Sequence, residues 1–369
     1  MKNILFVHSS SELYGSDRSL LNIVKNIDKS RFRAFVILPS QGPLVDELKK
    51  IPDVQVTIFE VSVLRRKNLS VSGVAKYLRD FWASYRYIRR FIRENKIEIV
   101  DTNTAVVFPG AVAAKHCRIK SVWHIREIIK SSLENKVISA VMNHYADVIV
   151  ANSRATGKAL RVDQGKIRVV YNAVEEKQDT EPAEHDGLVV GMAGRINRWK
   201  GQKLFVDAAQ KVHEILPEVR FQIAGEAYSG EENLKEDLIA YIAEKKLEDT
   251  VILLGQVNDM PSFYRGLDLF VLPSIQPEPF GLVVIEAMEY GIPVIATNHG
   301  GPAEILDDGV DGYLVDYQNA DQMAARIVEL LSDAEKRKSI GERGQEKKRR
   351  EFSVSAMVGN IETIFEEDL

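Results

Sequence analysis

Short apolar runs recur along the chain, and most of them end in a small or polar residue. "NILFVHSS" reads as a buried strand entering a loop, "SDRSLLNIVKNI" has helical spacing, and "FRAFVILPS" reads as a second strand. "IEIVDTNT", "KSVWHIRE", "ADVIVANS" and "IRVVYNAV" repeat the strand pattern. Alternation of this kind predicts a parallel, doubly wound α/β sheet with ligands at the carboxyl ends of the strands.

Near residue 175 the texture changes. "EEKQDTEPAEHDG", residues 175–187, is polar and contains Pro and Gly, so it reads as a linker. The rhythm then restarts with "LVVGMAGR", "VRFQIAGE", "TVILLGQV", "LDLFVLPS", "IPVIATNHGG" and "GYLVD". Two Rossmann-like domains are therefore expected, residues 1–174 and 188–352. The remaining segment, 353–369, reads as an amphipathic helix with no strand after it.

Composition narrows the class. The chain has 369 residues, 45% hydrophobic and 28% charged, with a formal net charge of −4. That is the profile of a globular protein with no whole-chain sign of a nucleic-acid partner. Cys117 is the single cysteine, so no internal disulfide can form, and with no activating group nearby in sequence it reads as packing. The first apolar run, Ile4 to Val7, is too short for a signal peptide, and no segment approaches the roughly 18 apolar residues of a membrane span. A cytoplasmic location is expected.

Three strand ends in the second domain are chemically loaded. In "GMAGRINRWKG", Gly194 and Arg195 end a strand and Lys200 opens a helix, a cationic helix N-terminus that suits a diphosphate. Phe280, Gly281 and Leu282 begin another helix, and "TNHGGPAEI" pairs two glycines. The Arg195–Lys200 pair reads equally well as solvated surface, and Gly300-Gly301 as a plain strand-to-helix turn. Glu286 is harder to set aside. Leu282, Val283, Val284, Ile285, Ala287 and Met288 surround it, so its helix is expected to be buried, where a carboxylate needs a specific partner. Eight residues earlier, Glu278 stands between two prolines.

Glu278 to Glu286 is a Glu-x7-Glu motif within "PSIQPEPFGLVVIEAMEYGIPVIAT". With "GRINRWKG", "GQVNDMPSFYRGLDLFVLPS" and "GGPAEI", it resembles the donor-binding half of the retaining glycosyltransferases of family 4, which have the GT-B fold. In the first domain, "YGSDRSLL", "ANSRAT" and "VVYNAV" resemble that family's loops, with Tyr14, Ser16 and Asp17 departing from a Gly-Gly-Ala-Glu-Arg-like pattern.

The resemblance implies a bacterial enzyme that moves a sugar from a nucleotide-sugar co-substrate to a glycan acceptor, in polysaccharide synthesis at the cell envelope. It implies a helix at 353–369 that returns to the first domain. Gly15, Ser16, Gly194, Val257, Phe280, Gly281 and Leu282 would line the donor. Glu286 would hold the ribose hydroxyls and Glu278 those of the sugar. Arg195 and Lys200 would neutralise the leaving diphosphate, and His124 would touch the donor sugar or the acceptor. Arg126 and Glu127 are acceptor contacts or an ion pair. His8 reads as structural. No Asp-x-Asp occurs in the chain, so no metal or other cofactor is expected. A GT-B-type epimerase and a non-catalytic nucleotide-sugar-binding subunit are the other classes compatible with the pattern.

Residues 65–96 hold ten Lys/Arg against Asp80 and Glu94, interleaved with Tyr77, Phe81, Trp82, Tyr85, Tyr87 and Phe91. Basic, aromatic helical surface suits an anionic membrane, and with it a lipid-linked acceptor and a peripheral position on the inner face of the cytoplasmic membrane. An ordinary helix with a basic outer face and an aromatic core face fits the pattern equally.

Overall fold

The six strand-like runs of the first half become strands of one parallel sheet, and a seventh, β3, joins them: β1 (Lys2–Val7), β2 (Phe32–Leu38), β3 (Gln55–Ile58), β4 (Ile99–Asn103), β5 (Lys120–Ile125), β6 (Val148–Ala151) and β7 (Ile167–Val169). Their order is β3-β2-β1-β4-β5-β6-β7. This computed structural model describes residues 1–64, 70–183 and 185–367, and the chain divides into two units, Met1–Ala173 with the segment from Val354 onward, and Val174–Ser353.

Alternate residues of β1 supply opposite faces, as a strand's period of two requires. Ile4 and Phe6 pack with α1 (Gly15–Asn26) and α2 (Pro43–Lys49), and Leu5 and Val7 pack with α3 (Val71–Glu94) and α4 (Pro109–Cys117). The helix α5 (Ser132–Tyr145) extends that second layer, and α6 (Arg154–Ala159) precedes β7. Sequence pattern does not anticipate β3. It is four residues long, and its side chains are exposed or half-buried, so no apolar run marks it.

The second unit repeats the plan with β8 (Val189–Ala193), β9 (Arg220–Ala224), β10 (Val251–Gly255), β11 (Leu269–Leu272), β12 (Val294–Thr297) and β13 (Tyr313–Val315), in the order β10-β9-β8-β11-β12-β13. Its helices are α7 (Gln202–His213), α8 (Asn233–Glu244), α9 (Met260–Arg265), α10 (Leu282–Glu289), α11 (Pro302–Ile305), α12 (Ala320–Ser332) and α13 (Ala334–Glu351). The polar stretch after residue 174 is tied to this unit. The Lys177 amide donates to Glu289, the Ala183 amide donates to the Arg265 carbonyl, and Asp179 pairs with Arg265. No helix among the described residues is long and apolar enough to cross a membrane.

The last helix, α14 (Val354–Glu366), belongs to the first unit. Met357, Val358, Ile361, Ile364 and Phe365 are buried with α1 and the sheet, and the Phe365 ring meets Phe6 and Phe32 edge-on at 6.2 and 6.0 Å. Its last carbonyls are the unpaired acceptors every helix leaves. Lys120 Nζ donates to the carbonyls of Ile364 and Glu367 at 2.5 Å each, and Lys2 Nζ to that of Phe365 at 3.1 Å.

The apolar helix α10 is buried, but Glu286 is only half-buried on it. The carboxylate that goes inside is Glu289, which pairs with the fully buried Lys348 of α13. Three residues along a helix turn the side chain by most of a revolution but not all of it, which is enough to move Glu286 to the rim of the buried face.

Candidate functional site

In the second sheet the strand order reverses between β8 and β11, the point where open α/β sheets bind ligands. The loops leaving those two strands are pressed together. Gly201, the cap of α7, has φ +78°, and a Cβ there would stand 1.8 Å from the Pro273 carbonyl oxygen. The Ile275 amide donates to the Trp199 carbonyl at 2.9 Å. Before the helix, Asn197 Oδ1 accepts the amides of Trp199 and Lys200 at 3.1 and 2.9 Å, which turns the chain so that Lys200 points at the neighbouring loop.

There Lys200 Nζ reaches Glu278 Oε1 at 2.6 Å. Glu278 is 4% exposed, and Ser274 Oγ donates to the same oxygen at 2.5 Å. Ser274 is itself clamped, because its carbonyl accepts Thr297 Oγ1 and His299 Nε2 at 2.7 Å each. His299 lies flat on Tyr317, with ring centroids 4.9 Å apart. The paired glycines serve this arrangement. A Cβ at Gly300 would stand 2.3 Å from the Glu278 carbonyl oxygen, and one at Gly301 2.2 Å from that of Phe280. The backbone these glycines admit is thus that of the Glu278 loop.

The other donor residues expected in this unit lie on the loops and helices that leave its strands. The Arg195 guanidinium lies 4.0 Å from the centroid of Tyr228, and its carbonyl accepts Gln202 Nε2. Gly194 precedes it with φ +153°. Gly281 caps α10 with φ +98°, between buried Phe280 and half-buried Leu282. Glu286 Oε2 accepts the Tyr264 hydroxyl at 2.8 Å. Val257 sits half-buried in the loop after β10. Ser274, Thr297, His299, Tyr228 and Tyr264 were not singled out from sequence. Only their nearness to Glu278, Arg195 or Glu286 could have flagged them, and spacing alone does not reveal which carbonyl a hydroxyl will find.

In the first sheet the order reverses between β1 and β4. His8, just after β1, is fully buried and holds Asp17 Oδ1 through Nε2 at 2.6 Å. Asp17 Oδ2 accepts the Tyr14 amide at 2.9 Å, so this acid anchors the turn in which Gly15 and Ser16 begin α1. His124, opposite Asn103 of β4, is 2% exposed. Its Nε2 lies 3.0 Å from Asp101 Oδ2, and its Nδ1 lies 3.3 Å from Arg126 Nη2. Arg126 also donates to Asn172 Oδ1. Burial pulls the Arg126 guanidinium down to about 10, against the carboxylates of Asp101, Glu127 and Asp17. Burial raises the Glu127 carboxyl, against the Arg126 amide that donates to it at 3.1 Å. Glu127 lines a cavity of about 250 Å³ whose walls include Val106, Ile128, Ile129 and Ile138, with Glu134 and Lys130 at its edge.

Two doubly wound units with charged groups at their switch points define an α/β enzyme that takes its ligands at strand ends. The model for Glycosyltransferase Family 4 matches residues 14–178, and that for Glycosyl transferases group 1 matches residues 173–347. The chain belongs to this glycosyltransferase family and has its GT-B fold. Across the full length of both chains it is similar to the Anabaena protein HepE, crystallised with UDP and glucose, with 26% identity and a TM-score of 0.82. It is 26% identical to the Escherichia coli UDP-Gal:alpha-D-GlcNAc-diphosphoundecaprenol alpha-1,3-galactosyltransferase, over 87% of this chain and 86% of that one. The match to spore coat protein SA of Bacillus subtilis, 30% identical, spans about half the length of each, 52%.

Proposed function

We propose that the protein transfers a sugar, with retention of anomeric configuration and without a metal, from a nucleoside diphosphate donor to a lipid-linked glycan acceptor of a bacterial surface polysaccharide. The Lys200–Glu278 pair at the switch point of the second sheet carries this reading. A sugar nucleotide has one anionic part and one hydroxyl-rich part, and this pair offers one group to each. In the reaction the anomeric C–O bond to phosphate breaks and its electrons pass to the diphosphate. Arg195 and Lys200 stabilise that charge. The acceptor hydroxyl forms the new C–O bond on the same face and gives its proton to the departing phosphate oxygen. Glu278 holds the sugar, and Glu286, braced by Tyr264, holds the ribose.

On the first unit we assign the acceptor to the cavity beside Glu127, whose carboxylate accepts hydroxyls while the isoleucines cover C–H faces. His124 acts through Arg126, since its own ring is buried. The HepE complex and the diphosphoundecaprenol relative favour a uridine nucleotide donor and a lipid-linked acceptor.

The protein would work in the cytoplasm at the inner membrane face, held there by α3. Leu78 and Trp82, 50% and 52% exposed, stand one turn apart on its outer face, following exposed Val74. Arg79, Arg86, Arg90 and Arg93 are exposed beside them. Arg65 to Leu69, which carry three of the ten cations, lie outside the described residues. Leu133 and Val137 add exposed apolar surface on α5. Incubation with a panel of nucleotide sugars, with and without EDTA, tests the reading. Nucleotide release from one donor in EDTA supports it, and no release from any donor in the presence of membrane lipid extract refutes it.

A further inference from the structure

Lys200 is already neutralised before any ligand arrives. Its ammonium is held at 2.6 Å by a carboxylate that is almost fully buried. The carboxylate cannot swing away with ease, because Ser274 Oγ grips the same oxygen, and Thr297 and His299 fix Ser274. The two donors converge on Oε1, and neither takes Oε2.

We propose that Glu278 acts as an internal competitor of the diphosphate for Lys200, so that the site favours the intact sugar nucleotide over the spent nucleoside diphosphate. This rests on the nucleotide-sugar reading above. A diphosphate that draws on the single charge of Lys200 leaves Glu278 buried and under-compensated, which is costly. An intact donor returns hydrogen bonds to Glu278 from its sugar hydroxyls, with Oε2 free to accept them. Once the sugar has left, that compensation is gone, and Glu278 reclaims Lys200. Product release is thereby helped by a group that earlier held the substrate.

Calorimetric titration separates the possibilities. UDP, GDP and ADP, and UDP-glucose, GDP-mannose and ADP-glucose, are titrated into wild type, Glu278→Gln, Lys200→Ala and the double variant, with melting temperatures checked in parallel. For the base that binds, Glu278→Gln should hold the nucleoside diphosphate roughly tenfold more tightly than wild type, since a hydrogen bond to a charged group is no longer sacrificed. The same change should weaken preference for the sugar nucleotide. In the Lys200→Ala background the gain should vanish, because the effect passes through Lys200. An unchanged or weaker diphosphate affinity in Glu278→Gln overturns the inference. So does a gain that persists without Lys200, which would mean direct repulsion of the diphosphate. Wild type that binds none of the six ligands overturns the nucleotide-sugar reading itself.

Discussion

His124 presents Nε2 to Asp101 Oδ2 at 3.0 Å, with both side chains almost wholly buried. Its Nδ1 faces the Arg126 guanidinium, which can only donate. Asp101→Ala would leave the buried Asn103 amide without the carboxylate oxygen that accepts it at 3.0 Å. The expected cost is about 1–3 kcal/mol, seen as a lower melting temperature, together with slower transfer as the buried Arg126 guanidinium loses a nearby carboxylate. Unchanged melting would show that Asp101 is not the acceptor.

Lys200→Ala should lower the transfer rate by roughly 10²–10³-fold, as loss of one preorganised electrostatic contact does elsewhere. Glu286→Gln should raise the donor KM, with Tyr264 still hydrogen-bonded to the amide. Near wild-type turnover by Lys200→Ala, or an unchanged donor KM in Glu286→Gln, with melting unchanged, would remove that residue from the site.

Lys348→Met strands the Glu289 carboxylate inside the second unit. Breaking a buried pair from one side costs about 3–5 kcal/mol, so the urea midpoint should fall sharply. Replacing both partners by methionine should recover most of the loss. If the double variant is as unstable as the single one, the pair is not acting as a unit.

Glu329 gives an acid-stability signature. Although burial opposes it, hydrogen bonds from Lys336, Arg326 and Tyr313 hold its carboxyl down from the ordinary 4.5 to about 2. A carboxylate with a depressed value binds fewer protons when folded than when unfolded. Its contribution is therefore complete above the unfolded value and disappears as pH falls from about 4.5 to about 2. Glu329→Gln should be less stable than wild type at neutral pH and converge with it toward pH 2, followed by circular dichroism. Parallel acid curves for the two proteins would contradict this.

Liposomes rich in anionic lipid should sediment the protein at low salt. Each cation near such a surface contributes about 1 kcal/mol, so Arg86/Arg90/Arg93→Ala should weaken binding by roughly hundredfold, and Leu78/Trp82→Ser should weaken it further. Equal binding by wild type and variants would leave α3 an ordinary solvated helix.

Most strands were legible because buried parallel strands are apolar runs, and most here run on into a Gly, Pro or polar residue. β3 was not, since its side chains at the sheet edge are exposed or half-buried and leave no apolar run. The exchange of Glu286 for Glu289 as the buried acid has a similar origin. Every side of α10 looks apolar in sequence, so the pattern has no phase. The partner that fixes that phase, Lys348, hides in the charged run "EKKRRE", where nothing sets it apart from its neighbours. The clamp on Glu278 was illegible for another reason. It runs through the Ser274 carbonyl, and backbone acceptors leave no mark in a sequence.

The helix α14 completes a core begun some 350 residues earlier, as its contact with Phe6 shows. On the ribosome, the first unit's strands emerge long before this cover does. The whole second unit can fold first while Phe6, Phe32 and Ile23 wait with one side uncapped. A nascent or truncated chain ending near residue 350 is thus a natural client for chaperones, and truncation within the last helix would damage the half of the protein that was made first.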